Sequence, residues 1–437
     1  MIFKLFVNKQ TIPQIIYYDN INNCFYDDKK QPMLQQYSDI KETLDTPYFD
    51  QNNTPFNFDN HVELMEISLG ANCNFDCWYC SQKTFKDSVY SGSPKDVDCF
   101  IDMLKRADIQ CKSVQLWGGE PLVYWKTIEK LVPKLRELYG DISISFPTNG
   151  SLLTRDKIDF CKKWNIGFWI SHDGCENTKR EFGGHQDVLI NETSRDAIDY
   201  AMQVIPNKIS FKTTFTHGNC DNVKIIKFFK KQFGDKVHVS TSNVVNCHDI
   251  TNSVSVESSR LSQQDKDTIT NSIFDTCHKY RSEFADNDIS VNRRVDELVH
   301  NFVTKFPANG QGCECGLPFT NGSIVVNLRG DLVVCHNFKP YEPRINITKM
   351  KQYKKLGYHH WKSRDTNCKN CIALVSCHGG CPAIDNKAHL INCENLFALH
   401  YGMFKAAVAG LLGCYITKFE SCNTDDINEV QAECSIQ

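Results

Sequence analysis

The sequence has no long apolar run and no large excess of charge of either sign. No window approaches the ~20 apolar residues of a transmembrane helix, and the opening MIFKLFVNKQ is too short for the apolar core of a signal peptide. Lys plus Arg number 49 and Asp plus Glu 52, which gives a formal net charge of −3. No long basic run is present. These absences argue against membrane insertion and nucleic-acid binding, and we expect a cytoplasmic protein.

Cysteine, by contrast, is abundant, with 22 in a chain of 437 residues. In a small secreted protein such a number would indicate disulfides, but this chain is long and shows no signal peptide. In a reducing compartment, clustered cysteines more often bind metal. The length accommodates roughly two or three domains, and the composition is that of a globular protein.

Strand-like and helix-like segments alternate from about residue 62 to residue 245. Six segments read as strands that end in polar or glycine residues: VELMEISLG, SVQLWGG, ISISFPTNG, IGFWISHDG, KISFKTTFTH and KVHVSTSN. Amphipathic helical segments such as VDCFIDMLKRAD lie between them. This alternation predicts an α/β fold with a parallel sheet, and about six repeats favour a partial (β/α)6 TIM-like barrel over a closed eight-fold one.

The sequence divides into four segments. Residues 1–58 are a small N-terminal β element, and residues 59–245 are the partial barrel. Residues 246–305 are a helical linker. Residues 306–437 are dense in cysteine and short of regular periodicity, so we expect metal to hold small local folds there.

Three cysteines directly follow the first predicted strand of the barrel. Cys73, Cys77 and Cys80 have the spacing C-x3-C-x2-C, at the end of the sheet where α/β folds bind ligands. Thiolates suit zinc or iron–sulfur clusters. A structural zinc site takes four ligands, whereas three cysteines on a four-iron cluster leave one iron open for a small molecule. From spacing alone, a zinc site and an iron site that only carries electrons remain open.

This spacing resembles the signature of the radical S-adenosylmethionine (SAM) superfamily. The resemblance implies a 4Fe-4S cluster whose open iron is chelated by the amino and carboxylate groups of SAM. One electron, from an external donor such as flavodoxin or ferredoxin, then cleaves SAM to a 5′-deoxyadenosyl radical that abstracts hydrogen from a substrate. Tyr79 occupies the aromatic position before the last cysteine, where the family packs a side chain near the adenine.

Three further strand ends resemble SAM-contacting segments of the same superfamily. WGGEPL carries a GGE motif, in which glycines let the backbone approach a ligand and the glutamate accepts from the SAM ammonium. FPTNG and ISHDG end the third and fourth strands; ordinary turn chemistry is the alternative for both. Because successive side chains of a strand point to opposite faces, His172 should point away from Ser171 and Asp173. The predicted SAM contacts are Tyr79, Gly118, Gly119, Glu120, Asn149, Ser171 and Asp173.

The C-terminal cysteines resemble the SPASM domain of peptide-modifying radical SAM enzymes. They combine C-x2-C-x5-C-x3-C with an upstream C-x14-G-x4-C that contains Gly330. The resemblance implies two auxiliary 4Fe-4S clusters, and therefore three clusters in all. The outer cluster is assigned to Cys368, Cys371, Cys377 and Cys393, and the inner cluster to Cys315, Cys335 and Cys381.

Two points in this region stay open. Cys313 either completes the inner cluster, which we favour, or leaves that cluster with an open iron that could bind substrate. A zinc ribbon is the alternative for CKNC with SCHGGC, but it would leave Cys315, Cys335 and Cys393 without a role. Asp331, in RGD, is expected to be a turn aspartate.

The family resemblance implies a peptide or protein maturase. Forming a thioether or carbon–carbon crosslink, or oxidising a side chain, removes one more electron from the substrate radical, and an auxiliary cluster accepts it. Residues 1–58 are too short for the usual peptide-binding winged helix, so a separate protein or the edge of the N-terminal strands would recognise the peptide. The alternatives are a dehydrogenase or epimerase of a small molecule such as a sugar, and a non-catalytic iron–sulfur electron carrier. No general acid or base is identified.

Overall fold

The computed structural model describes most of the chain. The described residues are 1–34, 60–82, 90–175, 180, 184, 186–245, 259–305, 323–333, 335, 337, 345–352, 364, 368–381, 384 and 386–422. Two of the predicted cluster ligands, Cys313 and Cys315, lie outside them.

The described strands form two sheets. In chain order the strands are β1 Ile2–Lys9, β2 Ile12–Asp19, β3 Cys24–Tyr26, β4 His61–Ser68, β5 Gln110–Trp117, β6 Ser143–Thr148, β7 Ile166–Ser171, β8 Ile209–Phe215, β9 Val239–Val244, β10 Ser323–Asn327, β11 Leu332–Val333 and β12 Tyr415–Ser421. The larger sheet has the order β11-β10-β4-β5-β6-β7-β8-β9, and the smaller has the order β12-β1-β2-β3.

The helices lie between and after the barrel strands. They are α1 Val97–Arg106, α2 Trp125–Tyr139, α3 Arg155–Lys163, α4 Glu192–Val204, α5 Asn222–Phe233, α6 Gln263–Phe274, α7 Arg281–Phe284, α8 Ile289–Thr304, α9 Leu374–Cys377 and α10 Asn386–Leu412. Short 3₁₀ turns span Pro121–Tyr124, Pro206–Lys208, Ile347–Gln352 and Cys368–Asn370, and a π-helical turn spans Asp275–Lys279.

Strands β4 to β9 are parallel and consecutive, so the predicted α/β fold with six strand–helix repeats is confirmed. Each crossover helix buries one apolar stripe against the sheet. In α1, Val97, Phe100, Ile101 and Leu104 recur at helical spacing and are buried. The sheet is wider than expected, because β10 pairs in parallel with the outer side of β4 and β11 follows it antiparallel.

The small antiparallel sheet joins the two ends of the described chain. Strand β12 pairs with β1 along its length, so the outer edge of β1 is already occupied and cannot take an added peptide strand. Tyr18 and Phe25 stack at 4.7 Å between ring centroids and contact Phe302 of α8 and Phe404 of α10. This aromatic cluster fixes the N-terminal strands against both helices.

Helix α10 is the longest in the described part of the chain and is apolar around most of its circumference. A helix of this kind is buried on several sides. It approaches α6 so closely at Gly402 that a Cβ there would lie 2.7 Å from the carbonyl oxygen of Thr270. Within the described residues, no helix is both long enough and apolar enough to cross a membrane.

Candidate functional site

The loop after β4 carries the first three cysteines and is bonded to the segment after β5. The Gly119 amide donates to the Gly70 carbonyl at 3.0 Å, and the Glu120 amide donates to the Asn72 carbonyl at 2.9 Å. A Cβ at Gly119 would lie 2.3 Å from the Ala71 oxygen, and one at Gly118 would lie 3.1 Å from the Gly70 oxygen. Position 119 therefore accepts only glycine without a shift of the cysteine loop.

Glu120 is buried and joins the ends of two strands. Its carboxylate accepts from the Leu122 amide at 3.0 Å, the Thr148 hydroxyl at 2.8 Å and the Asn149 amide at 2.6 Å. Burial raises the pKa of Glu120 to about 7, against the lowering effect of these donors. In this structure the GGE carboxylate thus holds β5 and β6 in register at their carboxyl ends.

Asn149 and Asp173, which follow β6 and β7, contact the cysteine loop, and Tyr79 belongs to that loop. The Asn149 side-chain amide donates to Asn74 Oδ1 in the loop at 2.8 Å. The Tyr79 hydroxyl donates to the buried carboxylate of Asp173. The Thr214 amide at the end of β8 also donates to Asp173, at 3.1 Å. The predicted contacts from β6 and β7 therefore meet the loop that bears the three cysteines.

Arg180 belongs to this site, although sequence reasoning did not single it out. Its guanidinium pairs with Asp173 at 3.1 and 3.2 Å, lies over the Tyr79 ring at 5.6 Å and faces Cys77 Sγ at 3.9 Å. Burial lowers the pKa of Arg180, but the charges of Asp173, Tyr79 and Cys77 together raise it by more, so the group stays charged. Its position in the loop after ISHDG was the only signal, and this does not distinguish it from a surface arginine.

Ser171 and His172 point to opposite sides of the sheet. Ser171 ends β7 and lies opposite Lys212 of β8 in the register. The His172 ring is buried against α5, where it stacks on Phe228 at 5.9 Å, and its Nε2 lies 3.1 Å from Asp187 Oδ1. His172 therefore supports the packing of the helix layer, whereas Ser171 faces the same side as Lys212.

The donor set of the loop suits an iron–sulfur cluster better than a single ion. Cys73, Cys77 and Cys80 are half-buried in one loop. Burial raises the pKa of Cys73 to about 12, so metal binding there releases a proton. Among the described residues, no three His, Cys, Asp or Glu side chains converge closely enough for one metal ion. A cluster of four irons takes its thiolates on separate irons and therefore spaces them more widely.

Of the outer group of C-terminal cysteines, Cys377 lies on α9 and Cys393 on α10, and Cys368 and Cys371 lie in and just after the turn that precedes α9. The Cys371 amide donates to the Cys368 carbonyl at 3.0 Å, within one turn. Burial, followed by the charges of Cys393 and Cys368, raises the pKa of Cys371 to about 12, which indicates that these thiols are close to one another. His389 of α10 places Nε2 3.8 Å from Cys368 Sγ. This histidine was not identified from the sequence.

Two further residues hold this region in place. The Asn20 side-chain amide, in the turn after β2, donates to the carbonyls of Lys369 at 3.0 Å and Cys371 at 2.8 Å. Arg364 donates to the Ile384 carbonyl at 2.9 Å and to the Cys381 carbonyl. The N-terminal sheet therefore supports the cysteine turn from one side, and a buried arginine supports Cys381 from the other.

The segment that follows β11 and carries Cys335 lies beside the first cysteine loop. Cys335 follows β11 closely, and Ser81, next to Cys80, donates to Asn337 at 2.8 Å. Gly330 has a φ of +80°, and a Cβ there would lie 2.7 Å from Met103 Sδ. Asp331 accepts from the Asn327 side chain at 3.1 Å within the same turn. The aspartate thus stabilises the turn before Cys335.

Comparison with known proteins agrees with this geometry. Residues 67–229 match the family model described as the Radical SAM superfamily. The radical SAM cyclopropyl synthase TigE of Paramaledivibacter caminithermalis is 22% identical over 356 residues, which are 75% of this chain and 69% of that protein. The GTP 3′,8-cyclase of Campylobacter fetus subsp. fetus is 28% identical over 183 residues, 40% of this chain and 54% of that protein.

Among solved structures, "Native anSMEcpe with bound AdoMet" has a similar fold, with a TM-score of 0.58 at 20% identity over 80% of this chain and 98% of that one. "Native anSMEcpe with bound AdoMet and Cp18Cys peptide" gives a TM-score of 0.57 at 20% identity, over 81% of this chain and 98% of that one. The family match covers the first cysteine loop and the carboxyl ends of β5 to β8, and the C-terminal cysteines lie outside it. The chain therefore carries a domain over residues 67–229 that matches the Radical SAM superfamily.

Proposed function

We propose that this protein is a peptide or protein maturase that forms a crosslink, either a thioether or a carbon–carbon bond, or oxidises a side chain of its substrate. The observation that carries the proposal is the second cysteine group, which is built into the same fold as the radical SAM domain. Helix α10 bears Cys393 and His389, and Asn20 and Arg364 fix the turns around it. A structure of similar fold was solved with a peptide, and a relative is named a cyclopropyl synthase.

The chemistry of bond formation explains why a second redox centre is useful. Closing a bond between two C–H carbons removes two hydrogens from the substrate. The first leaves as a hydrogen atom, and the second leaves as a proton and one electron. An auxiliary cluster on Cys368, Cys371, Cys377 and Cys393 would accept that electron.

The residues of this chain have distinct proposed roles. Cys73, Cys77 and Cys80 would hold the cluster to which SAM binds, and the bound pair would supply the hydrogen-abstracting radical. Arg180 keeps a positive charge beside Cys77. Asp173 fixes the Arg180 guanidinium and the Tyr79 hydroxyl together. Glu120, Asn149 and Ser171 line up the strand ends against which SAM would lie.

The first test is an iron and cleavage measurement on anaerobically reconstituted protein. Iron and sulfide are quantified, then dithionite and SAM are added and 5′-deoxyadenosine is assayed. About twelve irons per chain with cleavage would support three clusters, with Cys315, Cys335, Cys381 and Cys313 at the inner one. About four irons with cleavage would remove the auxiliary clusters. Full iron loading without cleavage in the presence of peptide substrates would favour an electron carrier.

Peptide substrates are distinguished from small molecules by mass spectrometry. The reconstituted enzyme, with flavodoxin or ferredoxin as electron donor, is incubated with pools of synthetic peptides and separately with sugars. A loss of two hydrogen masses from a peptide would support the maturase. Turnover of a sugar alone would favour a small-molecule dehydrogenase or epimerase.

A further inference from the structure

The inner face of the barrel is lined by polar and aromatic side chains. Phe211 of β8 packs on Phe229 of α5 at 4.5 Å, so its neighbour Lys212 points to the opposite side, into the barrel. The strand register places Glu66 opposite Gln115 and Trp169 opposite Ser210. Every second residue of a strand faces the same side, and paired residues of neighbouring strands share a face. The register therefore places Glu66, Trp169 and Lys212 on the inner face of the sheet.

Lys212 and Glu66 face each other across the lumen. Their strands, β8 and β4, are four spacings apart in the sheet, which is roughly 19 Å if the sheet were flat. Burial lowers the pKa of Lys212, while the charge of Glu66 raises it and that of Arg294 lowers it. The carboxylate of Glu66 is therefore close enough to Lys212 to influence its pKa.

Among the described residues, the ammonium of Lys212 has an aromatic contact but no ionic one. Its Nζ lies 5.6 Å from the centroid of the Trp169 ring, which packs edge-on against Trp117 at 5.9 Å. Within the described part of the chain, Lys212 Nζ makes no hydrogen bond and no ion pair. A poorly solvated ammonium without such a partner is costly, so this position favours an anionic ligand.

A second cation strengthens this preference. Arg294 of α8 lines a cavity of about 480 Å³ together with Ser210 and Ser240, which lie on the inner faces of β8 and β9. The register places Ser240 beside Lys212. The charges that influence Lys212 are therefore one carboxylate, Glu66, and one further cation, Arg294.

We propose that Lys212, with Trp169 beneath it, binds a carboxylate group of the substrate inside the barrel. The inference rests on the proposed function, because it takes the substrate to be a peptide. Lys212 lies opposite Ser171 in the register, at the strand end next to Asp173. Ser171 is two residues before Asp173, so a carboxylate held at Lys212 would lie next to the candidate SAM site. Trp117 and Trp169 would pack against the carbon chain that bears this carboxylate. The carboxylate belongs either to an acidic side chain or to the peptide C-terminus.

The test measures the affinity of synthetic peptide pools for the reconstituted, SAM-loaded enzyme. Four pools carry Glu or Gln at one fixed position, each with a C-terminal acid or amide, so the two carboxylate sources are separated. Binding is followed by tryptophan quenching, and product by mass spectrometry. We expect at least about a tenfold preference for the pool with the recognised carboxylate, the scale of one charge-assisted hydrogen bond.

Three variants decide whether Lys212 causes the preference. Lys212→Met should abolish it, and Lys212→Arg should retain most of it. Lys231→Met, which removes an exposed lysine from α5, should leave it unchanged. Thermal unfolding of each variant shows whether it is folded, and a folded Lys212→Met enzyme that keeps the preference would overturn the inference.

The inference and the proposed function fail in different ways. If peptides bind and are modified without a preference for either carboxylate, the role of Lys212 is wrong and the maturase stands. If the wild-type enzyme cleaves SAM but neither binds nor modifies any pool, the maturase and the inference that depends on it are both wrong.

Discussion

Replacing Gly119 with alanine tests the contact on which the candidate site depends. The added Cβ would lie 2.3 Å from the Ala71 carbonyl oxygen and 2.5 Å from that of Asn72, where an ordinary contact begins at 3.4 Å. Both atoms are backbone, so no side chain can rotate away. The cysteine loop must therefore retreat by about 1 Å, as the difference between these distances requires.

This retreat weakens two hydrogen bonds. The Gly119 amide donates to Gly70 at 3.0 Å and the Glu120 amide to Asn72 at 2.9 Å, and each such bond contributes roughly 0.5–1.5 kcal/mol. Together with the steric strain, we expect Gly119→Ala to lower the free energy of unfolding by about 1–3 kcal/mol. It should also reduce 5′-deoxyadenosine formation, because the loop carries Cys73, Cys77 and Cys80.

Urea unfolding of the apoprotein, iron content and SAM cleavage measure these effects. Gly410→Ala is the matched control, because Gly410 lies in α10 with nothing within 4 Å of an added Cβ, and it should be stabilising by about 0.5–1 kcal/mol. If Gly119→Ala unfolds at the same urea concentration as wild type, binds the same iron and cleaves SAM equally, the close packing of these two loops is not as described.

Three further predictions separate the parts of the molecule. The triple variant Cys73→Ala, Cys77→Ala, Cys80→Ala should lose about four irons and all SAM cleavage while the auxiliary iron remains, and residual 5′-deoxyadenosine would contradict the assignment of these ligands. Asn20→Ala leaves the carbonyls of Lys369 and Cys371 without this donor, so it should reduce the auxiliary iron content and lower the free energy of unfolding by about 1–3 kcal/mol. SAM cleavage at the first cluster should be unchanged. Equal loss of iron from both sites would refute this prediction. Because burial raises the pKa of Glu120 to about 7 from its ordinary 4.5, the folded apoprotein retains a proton between these values that the unfolded chain has lost. Its stability should therefore fall as the pH rises through this window, and urea titrations of Glu120→Gln should show a flatter dependence.

The sequence alone was sufficient for the barrel, because each strand and helix there obeys its own periodicity. The apolar stripe of α1 and the six strands with polar ends are local features. The addition of β10 and β11 to the sheet was not predictable in the same way. Strand β10 lies far along the chain from β4, and pairing between distant segments leaves no mark in the local pattern.

The same distinction applies to the candidate site. The cysteine triplet and the GGE motif could be identified because the residues that define each of them are close together in the sequence. Arg180, His389 and Asn20 could not, since each acts on a partner brought near by folding: Cys77, Cys368 and the carbonyl of Cys371, respectively. A single arginine, histidine or asparagine has no local pattern that reveals its partner.

The N-terminal strands are a further example of a contact between distant residues that the sequence did not reveal. As a sequence, residues 1–58 suggest a small β element whose strand edge could recognise a peptide. In the structure, β1 is enclosed by β2 and β12, and the turn after β2 presents Asn20 to the cysteine turn at Lys369 and Cys371. Because buried carbonyls need donors, removal of this turn would expose the very segment that carries Cys368 and Cys371. We therefore infer a structural role for the N-terminal sheet at the second cysteine group. A peptide strand added to this sheet would have to pair with an edge strand, β3 or β12, because β1 and β2 are each paired on both sides.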